Sequence, residues 1–206
     1  MLVTSFFKKA TFAATIALAA TSVYAQQTKT LGFGQTNVSL ASSFVSDLQS
    51  KGVTPGVVGP TRLQNGVVNF PVTGGAIDLD SADGQIIHSG GLTLSFSGIT
   101  LRLQSFIIDT TNGAPVLTGL VDLNGKMLGR LPLFQLQLPS GVVFPLTAEN
   151  GLLKLKGVNV TLTSTAAGAL NSVFGVSVFN ENYEIGTANV YAFLAEPWEW
   201  GWAHNN

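Results

Sequence analysis

The strongest constraint on the fold is an alternation of apolar and polar side chains that recurs along the chain between short turn motifs. Every second residue is apolar in 92–96, 99–104, 134–138, 153–156 and 158–163. Side chains of a β-strand point alternately to its two faces, so this pattern is typical of half-buried antiparallel strands. Asn-Gly, Asp-Gly or Ser-Gly pairs favour hairpin turns and occur at 65–66, 83–84, 112–113, 124–125, 140–141 and 150–151. The chain is therefore predicted to be mainly β, as an antiparallel β-sandwich or incomplete barrel.

Two segments carry apolar residues at helical spacing instead. The first is 38–48, for which Asn37 or Ser39 would serve as the N-cap. The second follows Thr163 or the next residue and ends at Gly175. We therefore expect two short helices packed at the edges of the β domain.

Two further segments complete the outline of the domain. Segment 52–60 holds two Pro and three Gly, and it is expected to be a loop. Segment 186–194 is expected to form the last strand.

The first 25 residues have the features of a secretory signal peptide. Lys8 and Lys9 precede an apolar run over 10–20, and Val23 and Ala25 place small residues at a cleavage site. That run is shorter than the roughly 20 residues that a membrane-spanning helix needs. We expect an exported protein (extracellular, periplasmic or at the cell surface) with one domain over 26–206 and no transmembrane segment after cleavage.

Composition excludes several classes of function. The 206 residues include no cysteine, so neither disulfides nor thiolate metal sites can form. Charged residues make up only 10% of the chain, and no basic stripe of the kind that binds nucleic acid is present. We also find no serine-hydrolase elbow, zinc-protease helix or phosphate-binding loop. A non-enzymatic protein is therefore expected.

His88 is the polar residue of most interest. It follows the apolar Ile86 and Ile87, and it precedes Ser89, Gly90 and Gly91. Such a histidine can hydrogen-bond to the backbone at a strand end, or its neutral imidazole can contact a metal or haem iron. In the second case the two glycines would let a large flat group approach the backbone.

Three stretches carry a family resemblance. Residues 43–48 read SFVSDL, 83–94 read DGQIIHSGGLTL, and 160–170 read VTLTSTAAGAL. They are similar, in the same order, to the Ser-Phe-x-x-Tyr-Ile, Gly-x-Val-x-Phe-x-Gly-His-x-Gly-x-Leu and Val-x-Leu-Thr-x-x-Gly-Ala segments of the HtaA-type haem-binding domain of bacterial surface proteins. The second similarity continues through 101–107.

The resemblance implies a haem-binding domain of the cell envelope. His88 would lie near the iron as its metal contact, with Ser89, Gly90 and Gly91 beside the porphyrin. In the family a tyrosine of the first segment supplies the phenolate that binds ferric iron. This chain has Asp47 at that position, and a carboxylate is a weaker and more hydrated ligand than a phenolate.

Segment 78–84 contains three aspartates and superficially resembles a calcium-binding loop. Its spacing departs from the EF-hand, because Ser89 stands where the bidentate Glu belongs. We interpret this segment as a solvated hairpin turn.

The aromatic tail, 195–206, offers an alternative function. Trp198, Trp200 and Trp202 would share one face of an extended chain. That row could bind sugar rings, a membrane interface or a partner protein, or it could fold back over a sheet edge. The alternative to haem binding is thus a structural or adhesion module that contacts cell-envelope protein or glycan.

Overall fold

The computed structural model describes residues 28–111 and 113–195. Its elements are, in order, β1 (Thr28–Leu40), α1 (Ser42–Ser50), β2 (Thr54–Val58), β3 (Arg62–Gln64), β4 (Val67–Asp78), β5 (Gly84–His88), β6 (Gly91–Phe96), β7 (Ile99–Asp109), β8 (Val116–Leu123), β9 (Lys126–Gln137), β10 (Ala148–Glu149), β11 (Leu152–Leu162), α2 (Ser164–Phe174) and β12 (Glu184–Leu194). The predicted mainly β fold with two short helices is confirmed.

Eight of the strands close into an antiparallel barrel. Their order around the ring is β7, β5, β4, β1, β12, β11, β9 and β8, and β8 pairs with β7 to close it. Strands β3, β6 and β10 pair with members of the ring but lie outside it, and β2 pairs with β6. An eight-stranded barrel has an interior that side chains can fill or that can hold one small ligand.

The second helix forms where the sequence predicts it. Thr163 is the N-cap, and its side-chain oxygen accepts a hydrogen bond from the backbone N–H of Ala166 at 3.1 Å. Gly175 ends the helix with φ of 64°, a left-handed conformation that glycine adopts without steric cost. The last predicted strand is also present as β12.

The first helix begins later than predicted, at Ser42. Val38 and Leu40 belong to β1, which pairs with β12 on one side. Val38 also pairs with Val68 of β4 on the other side. Strand β12 pairs with this stretch as far as Leu40 and β4 as far as Ser39, so the backbone pairing there outweighs the helical spacing of the apolar side chains. The start predicted at residue 38 is therefore wrong by about one helical turn.

The prediction of a loop over 52–60 is also wrong in part. Thr54–Val58 forms β2, which pairs with β6. A strand with Pro and Gly is tolerated there because β2 lies at the edge of the sheet, where one side of the backbone needs no partner.

The sheet forks at His88. Strand β5 pairs with 107–109 of β7, and β6 continues along the same side of β7, pairing with 99–104. On their other side β5 pairs with β4, whereas β6 pairs with β2. Thr61 bridges the fork, because its side-chain oxygen accepts a hydrogen bond from the backbone N–H of Gly91 at 2.9 Å. His88 thus occupies the last position at which β5 belongs to the barrel wall.

Candidate ligand cavity inside the barrel

A cavity of about 340 Å³ lies inside the barrel. Its walls are mostly inward-facing apolar side chains of the ring strands, among them Val38, Phe70, Phe106, Ile108, Leu136, Leu155, Val160 and Val190. The exposed residues of its lining are Ser81, Asp83 and Gly113, which lie at the β4–β5 turn and in the β7–β8 connection. The cavity therefore opens at that end of the barrel. Its volume lies in the range of pockets that hold small organic ligands.

His88 is the buried titratable residue of this cavity. Its side chain lies on β5 beside that of Thr36 on β1, and Nε2 is 2.7 Å from the Thr36 hydroxyl oxygen. Both residues are buried. Burial lowers the pKa of His88 to about 4, an effect that the backbone carbonyls of Phe106 and Ile86 only partly oppose. The imidazole is therefore neutral at pH 7.

One ring nitrogen of His88 has no hydrogen-bond partner among the described residues. That atom, Nδ1, is fully buried. A neutral imidazole has one N–H donor and one bare nitrogen, and the Thr36 hydroxyl can donate to Nε2 or accept from it. The backbone carbonyls of Phe106 and Ile86 lie near enough to favour a proton on the ring, but neither completes a hydrogen bond to Nδ1. A buried polar group without a partner is costly, so Nδ1 gains from a further polar partner.

The glycines after His88 are required by the packing of the sheet itself. A Cβ on Gly90 would lie 2.2 Å from the Thr61 side-chain oxygen, and a Cβ on Gly91 would lie 2.1 Å from the carbonyl oxygen of Leu103. The chain's own atoms therefore occupy the position that a side chain would take at each glycine. Ser89, between them and His88, donates its backbone N–H to the carbonyl of Pro71. These residues pack at the fork in the sheet, and their contact with haem stays a prediction.

Asp47 lies apart from His88, on α1. The hydroxyl of Tyr183 donates a hydrogen bond to its Oδ2. Tyr183 also packs edge-on against Phe44 and Phe179, with ring centroids 6.3 and 5.2 Å apart. Asp47 does not line the His88 cavity. The structure thus pairs Asp47 with a tyrosine and keeps it away from the His88 cavity.

Tyr183 is a residue that the sequence analysis assigned to no site. Burial, followed by the hydrogen bond to Asp47 and the negative charge of that carboxylate, raises its pKa to about 12. The phenol therefore stays protonated at neutral pH. Its separation from Asp47 along the chain leaves no local motif by which the pair could have been found.

The aspartate-rich turn is less solvated than expected. Asp78 is buried, and its Oδ1 accepts hydrogen bonds from the backbone N–H groups of Asp80 and Ser81 at 2.7 and 3.0 Å. These hydrogen bonds stabilise the β4–β5 turn from its buried side. In the part of the chain that the structure describes, no group of three or more His, Asp or Glu residues could hold a metal ion.

Some predicted features lie outside the described residues. They are the signal peptide and the row formed by Trp198, Trp200 and Trp202. Neither of the two helices in the described ranges is long and apolar enough to cross a membrane.

Comparisons with known proteins identify the fold. No protein-family model and no curated protein matches the sequence. Among solved structures, the C-terminal domain of HtaA from Corynebacterium glutamicum matches with a TM-score of 0.64 and 14% identity, over 81% of this chain and 99% of that one. The N-terminal domain of HtaA matches with a TM-score of 0.61 and 12% identity, over 81% and 99%.

The haem-binding protein HtaB from the same organism matches with a TM-score of 0.54 and 11% identity, over 82% of this chain and 95% of that one. The predicted resemblance to HtaA-type domains is therefore confirmed for the fold.

Proposed function

We propose that this chain is a non-enzymatic, exported domain that binds haem inside its barrel. The observation that carries the proposal is the position of His88, a neutral and buried imidazole on the wall of an otherwise apolar cavity. Neutral imidazole is a good ligand for haem iron, and apolar walls suit the faces of a porphyrin.

The residues of the cavity fit this group in two respects. Iron bound to Nε2 of His88 would replace the Thr36 hydroxyl as the partner of that atom. The aromatic rings of Phe70 and Phe106, which both line the cavity, provide apolar contact area. Haem itself would supply the iron centre, and these residues would bind it and exclude water.

The charges around the cavity limit which further interactions can contribute to haem binding. Neither lysine nor arginine lines the cavity, and Asp83 lies at the opening. The propionate groups of haem would therefore gain no ion pair from the described lining. Binding would rest on the iron contact and on apolar burial, with the propionates left in water.

Tyr183 is a poorer candidate for the iron ligand. A phenol with a pKa of about 12 gives little phenolate at pH 7, and its proton is held by Asp47. The similarity in fold to the haem-binding protein HtaB supports the ligand class. The assignment of the iron contact to His88 rests on the position of this neutral imidazole on the cavity wall.

Titration of haemin into the purified protein tests this function. We expect a sharp, saturable Soret band. Thr36→Val should bind haemin more tightly than the unaltered protein, because it removes the hydroxyl that competes for Nε2. Absence of a saturable band would refute haem binding, and weaker binding by Thr36→Val would refute the proposed competition.

A further inference from the structure

A second cavity, of about 110 Å³, lies between the barrel and its two helices. Phe44 and Leu48 of α1 and Ala166 and Leu170 of α2 are part of its lining. We call it the helix-side chamber. Thr165 is the one residue of its lining with a polar side chain. The chamber is thus more apolar than the His88 cavity.

The helix-side chamber has its own opening. The exposed residues of its lining are Pro55, Leu63, Leu128, Pro132, Thr165 and Ala169, contributed by β2, β3, β9 and α2. Leu63 and Leu128 are 37% and 48% exposed, which is high for leucine side chains. An apolar rim therefore surrounds the opening, on a part of the barrel different from Ser81 and Asp83.

The walls of the helix-side chamber determine which ligands it can hold. Apolar cavities of about 150 Å³ stay dry and accept benzene or xenon, so a chamber of this size and lining favours a small apolar group over water. A charged group would lose its hydration there without gaining a partner, because no charged side chain lines the walls. Size limits the buried portion to a few carbon atoms.

From these observations we infer that the helix-side chamber binds the end of an unbranched alkyl chain. The rest of the chain would lie along the apolar rim, and the polar headgroup of the amphiphile would remain in water. This site does not depend on His88, which lines only the larger cavity. The inference therefore stands apart from haem binding.

A chain-length series of 1-alkanols, from 1-butanol to 1-decanol, tests the chamber by methyl NMR. Affinity should rise about fourfold for each added methylene until chamber and rim are filled, because each buried methylene contributes about 0.8 kcal/mol. The signals of Leu94, Leu128 and Leu170, which line only this chamber, should shift on binding. Those of Leu138 and Leu155, which line only the His88 cavity, should not.

Two variants block the site in different ways. Ala169→Leu adds bulk at the exposed rim, where it does not disturb the core, and Ala166→Leu fills the chamber from within. Each should weaken 1-decanol binding at least tenfold. Ser172→Leu adds the same bulk on the exposed face of α2 outside the lining, and it is the matched control.

The outcomes separate the two sites. Loss of 1-decanol binding in Ala169→Leu, with binding retained in Ser172→Leu and His88→Ala, supports alkyl-chain binding in the helix-side chamber. This conclusion holds whether or not the protein binds haemin. Equal binding in Ala169→Leu and Ser172→Leu would overturn it, as would shifts confined to Leu138 and Leu155.

Discussion

The Thr36 hydroxyl oxygen lies 2.7 Å from Nε2 of His88, inside a barrel whose other lining is mostly apolar. The two residues lie 52 positions apart and on different strands, β1 and β5. Strand β4 lies between these strands and pairs with both, and this pairing determines how their inward faces are aligned. The contact therefore depends on the register of three strands.

The burial of His88 predicts a loss of stability in acid. Its pKa is about 4 in the folded protein and 6.5 in the unfolded chain, so below pH 6.5 the unfolded state binds a proton that the folded state does not. Stability should fall as the pH is lowered from 6.5 to 4, by about 3 kcal/mol from this residue.

Denaturant unfolding at pH 7 and pH 4, on the unaltered protein and on His88→Leu, measures this contribution. The variant should lose less stability between the two pH values, because the acidic residues titrate in both proteins. An equal loss in the two proteins would contradict the buried, neutral state of His88.

The hydrogen bond between Tyr183 and Asp47 predicts an abnormal tyrosine titration. Since the pKa of Tyr183 is raised to about 12, the folded protein resists loss of this proton as the pH rises above 10. Ultraviolet titration should show an absorbance step near pH 12 that Tyr183→Phe lacks. Stability at pH 10 to 12 should also fall less in the variant. If the substitution removes a step near pH 10 instead of one near pH 12, the phenol is not held by Asp47.

Gly90 and Gly98 provide a matched test of the fork in the sheet. They have nearly the same φ, 82° and 80°, but a Cβ on Gly98 would meet nothing within 4 Å, whereas one on Gly90 would clash with Thr61. Each Gly→Ala change should cost roughly 1–2 kcal/mol for the left-handed backbone. Gly90→Ala should cost more, because Thr61 must also move. Equal unfolding free energies for the two variants would contradict the close packing of Thr61 against Gly90.

Much of the architecture could be predicted from local patterns. Alternation of apolar and polar residues identifies the inward faces of β7, β9 and β11, and Asn65, Asn124 and Asn150 adopt the positive φ expected of their turns. Alternation also places Ile86 and His88 on one face, opposite the exposed Ile87. The strand period thus groups His88 with Ile86, but with isoleucines on both faces only the structure shows that this face points inward and that a cavity lies there.

The remaining features depend on pairing between distant segments. Strand β2 forms because its backbone can pair with the edge of β6. Strand β1 extends to Leu40 because β4 and β12 flank it. The contact of Asp47 with Tyr183 joins residues 136 positions apart. Cavities are likewise set by how side chains of many strands fill the interior, so no single segment encodes them.

The most direct test of haem binding at His88 is a haemin titration of the unaltered protein, His88→Ala and Tyr183→Phe, followed by the Soret band. We predict a saturable band at one haem per protein, little change in Tyr183→Phe, and at least a tenfold loss of affinity in His88→Ala. An unchanged band in His88→Ala, or its loss in Tyr183→Phe alone, would contradict the assignment of the iron contact to the barrel cavity.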